Sequence, residues 1–116
     1  MQVKFYCDLY ISENWVNKKR KIMERLQKNR IQPAVYVIAL AQGKQNQLEF
    51  FSGMLLKQHI FDDAELFVVG IADGYLDALY LVEEMTEAAY RETGNADIRE
   101  WILRRQSEYD DTERRY

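Results

Sequence analysis

Two uninterrupted apolar runs constrain the fold of this 116-residue chain most strongly. The first run covers residues 34–41 and the second covers residues 66–72. A strand with one solvated face alternates apolar and polar residues, whereas a short uninterrupted apolar run is typical of a strand buried on both faces. We therefore expect two central strands with other layers of the protein in front of them and behind them.

The second run leads directly into a turn and a long helix. Asp73 and Gly74 follow the run, and apolar residues then recur with helical spacing until Gly94. Strand, turn and helix in this order indicate an α/β layer. We expect Asp73 to cap the helix that begins near Tyr75, and Gly94 to end it in a left-handed conformation. The charged residues of this helix share a narrow strip, so we expect it to be covered on more than one side.

The N-terminal third predicts a strand followed by a helix. Residues 3–11 alternate between apolar and polar, which places Cys7 on the apolar face as an inert buried thiol. Ser12 is a suitable cap for a helix that ends near residues 29–30. Lys19 projects into the apolar arc of that helix, where its stem can lie along the edge of the core while its ammonium reaches water.

The remaining segments are less regular. Polar residues 42–46 predict a hairpin turn into a strand at 47–51, and helical spacing resumes at about Ala96. Residues 52–63 fit either a short helix or an extended segment. From residue 106 onward the chain is charged and has no large aliphatic residue, which is typical of a frayed end or a mobile tail.

The predicted order is β-α-β-β-(short element)-β-α-α, which is an α/β (or α+β) class. We expect one layered domain over residues 1–105, with a mixed sheet of about four strands, two long helices and a C-terminal helix, followed by a tail over 106–116. The two long helices can cover one face of the sheet. The other face then needs the last helix, residues 52–63 or a second copy of the protein, and we expect a homodimer. The eight tyrosines add weak support, because tyrosine is enriched at interfaces.

The net charge of −3 hides a division along the chain. Residues 1–33 carry eight Lys or Arg and three Asp or Glu, whereas residues 62–102 carry eleven Asp or Glu and two Arg. A fold that places the two parts side by side would cancel this difference internally, and we expect that outcome. A basic run at residues 18–21 raises weak nucleic-acid binding as a hypothesis, but its side chains point in four directions and the pI is 5.2, so we expect a solvated helix face.

The single cysteine cannot form an internal disulfide, which favours the cytoplasm. We expect no secretion signal, because no apolar stretch follows a basic head. We also expect no membrane segment, because no run reaches the roughly 18 apolar residues that one needs.

Few residues carry recognisable chemistry. At the Asp73-Gly74 turn, a carboxylate at the end of a strand can act as a base or bind a cation, and exposed helix N–H groups can bind an anion. Lys19 and His59 are the side chains that would extend such a ligand site. A lone histidine gives neither metal-ligand spacing nor a catalytic triad. We predict no catalytic residues, no metal and no cofactor.

Three functions therefore remain open. The first is a non-catalytic interaction or regulatory module that self-associates or binds a protein partner. The second is a small-molecule-binding protein or enzyme that uses the turn at Asp73-Gly74. The third is weak binding of nucleic acid through the basic first helix.

Overall fold

A four-stranded mixed sheet lies between two layers of helices. The computed structural model describes residues 2–31, 33–41, 47–57 and 65–114. The elements in chain order are β1 (Gln2–Ile11), a 3₁₀ helix (Glu13–Lys18), α1 (Lys19–Gln27), β2 (Val35–Leu40), β3 (Leu48–Ser52), α2 (Gly53–Lys57), β4 (Glu65–Asp73), α3 (Tyr75–Thr93) and α4 (Ile98–Arg114). The α/β class and the predicted order are confirmed, and the uncertain segment begins as the short helix α2. No helix in the described ranges is long and apolar enough to cross a bilayer.

The sheet has the strand order β1-β4-β2-β3. β1 pairs with β4 in parallel, whereas β2 is antiparallel to both β4 and β3. The two continuously apolar strands, β2 and β4, are therefore the inner strands, as the sequence predicts. Residues 42–46, the predicted turn between β2 and β3, lie outside the described residues.

Both faces of the inner strands are covered within one chain. Ile38 and Val69 join the core beneath α3 and α4, while Val37 and Val68 join the core beneath α1 and α2; all four are 0% exposed. The prediction that the two long helices cover one face together is wrong, because α1 lies on one face of the sheet and α3 on the other. Of the three predicted covers for the second face, the segment 52–63 contributes through α2 and the last helix packs beside α3, so neither face requires a second copy. The homodimer remains a prediction that needs other support.

β1 departs from simple alternation. Phe5 pairs with Val68 and Tyr10 pairs with Gly70, so the four-residue segment 6–9 faces a single β4 residue. Such an irregularity re-aims side chains and frees backbone groups from the ladder. The predicted position of Cys7 is wrong: it packs against the core beneath α3 and α4, is partly exposed, and its N–H donates to Oε1 of Gln106 at 2.7 Å.

The first helix begins later than predicted. Residues 13–18 form a 3₁₀ helix, which has fewer residues per turn than an α-helix, so the α-helical spacing of apolar residues does not hold there and Val16 is 56% exposed. α1 ends with Asn29 at a φ of +55°, where the N–H of Arg30 donates to the carbonyl of Arg25 at 2.8 Å. This is a Schellman-type stop built on asparagine.

α3 ends as predicted but is covered differently. Gly94 has a φ of +78°, and its N–H donates to the carbonyl of Tyr90 at 2.8 Å. Only one stripe of the helix is buried: Ala78, Leu81, Met85 and Ala89. The prediction that α3 is covered on more than one side is therefore wrong for this chain alone.

α4 begins after Asp97, whose Oδ1 accepts a hydrogen bond from the N–H of Glu100 at 3.1 Å. A side chain that accepts from the first turn in this way stabilises the start of a helix. The helix continues to Arg114, so residues 106–114 are helical. How mobile that segment is stays a prediction.

Candidate functional site

The turn between β4 and α3 is built differently from the prediction. Gly74 is the N-cap residue of α3, with a φ of +98° that L side chains rarely adopt, and no side chain caps the helix among the described residues. The carboxylate of Asp73 instead accepts a hydrogen bond from Nδ2 of Asn14 at 2.8 Å. Capping by Asp73 is therefore wrong, because its side chain is directed towards the 3₁₀ helix.

Ser12 joins three elements at this turn. Its hydroxyl donates to Oδ2 of Asp77 at 2.8 Å and accepts from the N–H of Asp73 at 2.7 Å. Its own N–H donates to the carbonyl of Ile71 at 3.1 Å. The residue is 2% exposed, and its side chain does not cap the helix that follows it. Ser12 therefore acts as a buried link and has no free hydroxyl with which to attack a substrate.

A cleft of about 400 Å³ opens beside this link. Five of its lining residues are carboxylic acids: Glu13, Asp77, Glu83, Glu84 and Glu87. Their charge repels phosphate and other anions and suits a cationic ligand. Among the described residues, no group of three or more His, Cys, Asp or Glu is arranged to hold a metal ion.

The other predicted ligand residues do not extend this cleft. Lys19 is half-buried and lines a separate depression with Val16 and Met23, which shares no described lining residue with the cleft. His59 lies outside the described residues. Ligand binding by Asp73, Gly74, Lys19 and His59 therefore stays a prediction.

A second group of polar residues, which we call the Arg105 cluster, joins β1, α3 and α4. Nη2 of Arg105 donates to Oδ2 of Asp8 at 2.7 Å, and Nη1 donates to Oε1 of Glu92 at 3.3 Å. The guanidinium carbon lies 5.5 Å from the ring centroid of Trp101, whose Nε1 donates to Oε2 of Glu92 at 2.6 Å. The hydrogen bond to Asp8 is the main reason that the pKa of Arg105 is raised.

Two titratable side chains of β1 lie beside the Arg105 cluster. Burial raises the pKa of Tyr6 to about 12, against a smaller opposing effect of Arg105, and the buried Tyr6 hydroxyl has no hydrogen-bond partner in the described part of the chain. Burial, and then the charge of Asp8, raises the pKa of Cys7. Because the thiolate is the reactive form, this shift makes Cys7 a poor nucleophile. The Arg105 cluster therefore has the properties of a structural polar network that holds β1, α3 and α4 together.

An exposed apolar surface runs along the N-terminal half of α3, and we call it the α3 stripe. Its four residues have exposed fractions of 53% for Tyr75, 69% for Leu76, 42% for Leu79 and 63% for Tyr80. The stripe continues onto the sheet, because the Tyr75 ring centroid lies 5.7 Å from that of Tyr36 and 6.3 Å from that of Phe50. Sequence reasoning assigned these side chains to the interior, since helical spacing shows that a face is apolar but not what covers it.

The charge of the chain is divided between the two helical layers. The acidic residues of α3 lie on one side of the sheet, while the cations of residues 18–30 lie on the side of α1. The ion pairs that we describe join Arg104 to Glu100 and Arg105 to Asp8 and Glu92. No cation of residues 18–30 is paired with an acid of the described chain. The sheet therefore separates the cations of α1 from the acids of α3, and the expected internal cancellation between the two regions stays a prediction.

Comparison with protein-family models, with curated proteins and with solved structures finds no match to this chain.

Proposed function

We propose that this protein is a small non-catalytic interaction module that self-associates through the α3 stripe. The exposure of this stripe carries the proposal, because Leu76 is 69% exposed and Tyr80 is 63% exposed. The apolar residues of α3 are those of a helix that is covered on more than one side, yet within one chain these side chains face solvent. Neighbouring exposed apolar side chains mark interaction surfaces. Tyrosine is enriched at such surfaces because its ring is buried while its hydroxyl still forms hydrogen bonds.

A second copy of the chain suits the arrangement of charge on α3. If two α3 helices pack antiparallel about Leu79, Glu83 of each copy lies close to Tyr75 of the other. Tyr75 begins its helix, so the carboxylate meets the positive end of the helix dipole and a hydroxyl donor. Such a contact is isologous, and it closes as a dimer without using an open sheet face.

Sedimentation velocity across the micromolar range tests this proposal. We expect the wild type to dimerise and Leu76→Glu to shift the equilibrium to monomer, because the substitution places a charge in the apolar contact. The matched control is Leu103→Glu, which introduces the same charge at an apolar residue of α4 that is 44% exposed. A wild type that stays monomeric, or equal loss of dimer in both variants, would contradict the proposal.

A cytoplasmic location belongs to the same proposal. It is supported by the single cysteine, which leaves no internal disulfide to stabilise the chain in an oxidising compartment. The buried core described above supplies the stability that small secreted domains often take from disulfides.

A further inference from the structure

A pocket of about 320 Å³ lies on the layer opposite the α3 stripe, between the 3₁₀ helix, α1 and the start of β2. We call it the Trp15 pocket. None of the predicted site residues that the structure describes lines this pocket. Two of its lining residues, Lys18 and Lys21, belong to the basic run at residues 18–21 that the nucleic-acid hypothesis uses. Its volume is within the range of pockets that hold small organic ligands, which begins at about 300 Å³.

Three cations line one side of the Trp15 pocket: Lys18, Lys21 and Arg25. They are spaced by three and four residues, so they share one side of the helix and extend along roughly 10 Å of it. All three are exposed, and none has an ion pair within the part of the chain that the structure describes. Three cations in a pocket whose described lining contains no acid favour a ligand with more than one negative charge.

The rest of the pocket wall is apolar. Ile22, Ile31 and Val35 are buried, with exposed fractions of 9%, 3% and 5%. Trp15 packs against the same core while keeping part of its ring exposed. An indole ring beside cations can stack on a flat aromatic group while the cations bind its phosphates, which is how proteins hold the units of a single-stranded nucleic acid.

We propose that the Trp15 pocket binds an aromatic organic phosphate, that is a nucleotide, either free or as a unit of a single strand. The base stacks on Trp15, and Lys18, Lys21 and Arg25 bind the phosphates. The acidic layer of α3 limits the contact to a short ligand, because a longer strand that wraps around the protein meets negative charge there. An acidic peptide fits less well, since carboxylates alone make no use of the exposed indole face.

Isothermal titration calorimetry with ATP, an oligothymidylate and tripolyphosphate tests the proposal. We expect ATP or the oligothymidylate to bind, and tripolyphosphate, which has no ring, to bind at least about tenfold more weakly. Binding of ATP alone identifies a free nucleotide as the ligand class, and binding of the oligomer alone identifies a single strand. Trp15 fluorescence gives an independent readout, because Trp101 is only 5% exposed and belongs to the core beneath α3 and α4.

Variants of one helix locate the site. Lys21→Glu should weaken binding about tenfold or more, whereas Arg20→Glu makes the same charge change on a residue that does not line the pocket and should change binding less than about threefold. Trp15→Leu should also weaken binding, because it removes the ring on which the base stacks. The circular dichroism spectrum of this variant shows whether the protein still folds. Equal effects of Lys21→Glu and Arg20→Glu, equal affinity for tripolyphosphate and ATP, or no binding of either nucleotide probe would overturn the proposal.

Discussion

Single polar residues hold the layers of this protein together at the ends of the strands. Ser12 is the clearest example, because its hydroxyl and its N–H connect the end of β1 to β4 and to α3. Each hydrogen bond of a buried hydroxyl adds little net stability. Removing the hydroxyl costs more, because it leaves two other polar groups buried without a partner. Tyr6 is the opposite case. Its buried hydroxyl has no partner with hydrogen-bond geometry among the described residues, and the nearby Arg105 only partly offsets the effect of burial on its pKa.

Ser12→Ala should lower the free energy of unfolding by about 1–3 kcal/mol, because it leaves the N–H of Asp73 without its acceptor and Asp77 without its donor. Chemical denaturation measures the change. The control is Ser107→Ala on the exposed part of α4, which should stay within about 0.5 kcal/mol of the wild type. Equal stability of the two variants would show that the buried link contributes nothing.

Tyr6→Phe should be neutral or stabilising at pH 7, because it removes a buried hydroxyl that has no described partner. At high pH the difference should grow. The folded-state pKa of Tyr6 is raised to about 12 from 10.0, so the unfolded chain loses this proton first, and the wild type loses stability as the pH rises from 10 towards 12.

The variant lacks that hydroxyl, so its free energy of unfolding should fall less steeply between pH 10 and 12 than that of the wild type. The two slopes should differ by up to about 1.4 kcal/mol per pH unit. Below pH 10 the two proteins should depend on pH alike. Denaturation at a series of pH values gives both slopes, and parallel curves from pH 10 to 12 would rule out this role of Tyr6.

At the scale of elements, α4 depends on long-range polar contacts for part of its attachment. Ile98, Trp101 and Ile102 bury its apolar side, and the Arg105 cluster fastens it to β1 and α3. Arg105 and Asp8 are separated by 97 positions in sequence. No local pattern in the chain indicates that they meet, so sequence reasoning had no signal from which to find the cluster.

Arg105→Met should destabilise the protein by about 1–2 kcal/mol, because the alkyl stem stays but Asp8 and Glu92 lose their cation. Arg104→Met removes only an exposed pair with Glu100 one turn away, so it should cost about 0.3–0.5 kcal/mol. Thermal denaturation at low and high salt compares them. The difference in stability between the two variants should become smaller in high salt, because salt screens the ion pairs. Equal stability of the two variants at low salt would contradict the stabilising role of Arg105.

The elements that could be predicted from sequence are those fixed by local pattern. Continuous apolar runs identified β2 and β4 as inner strands, and Gly94 correctly marked the end of α3. The burial of Tyr6 was missed, because alternation marks its face of β1 as polar and gives no sign that α3 and α4 cover that face. The position of Cys7 was missed, because a period of two gives no sign of the irregularity at residues 6–9. The cover of α3 was also misjudged, since its spacing identifies an apolar face without identifying the neighbour. The Trp15 pocket combines residues from several segments, and only its basic run was visible beforehand.

At the scale of the whole molecule, one sheet separates two helical layers of opposite charge. The inner strands are shielded by α1 and α2 on one side and by α3 and α4 on the other. The two layers therefore offer different surfaces, an apolar and acidic one on α3 and a basic one around Trp15. Both proposed contacts follow from this separation, and neither requires the sheet itself to be open.

Native-state hydrogen exchange, measured at two protein concentrations, tests this central claim most directly. If β2 and β4 are enclosed within one chain, the amides of residues 35–40 and 66–72 exchange only through global unfolding, and their protection is the same at low and high concentration. Faster exchange of either strand than global unfolding allows, or protection of these amides that appears only at high concentration, would contradict the account.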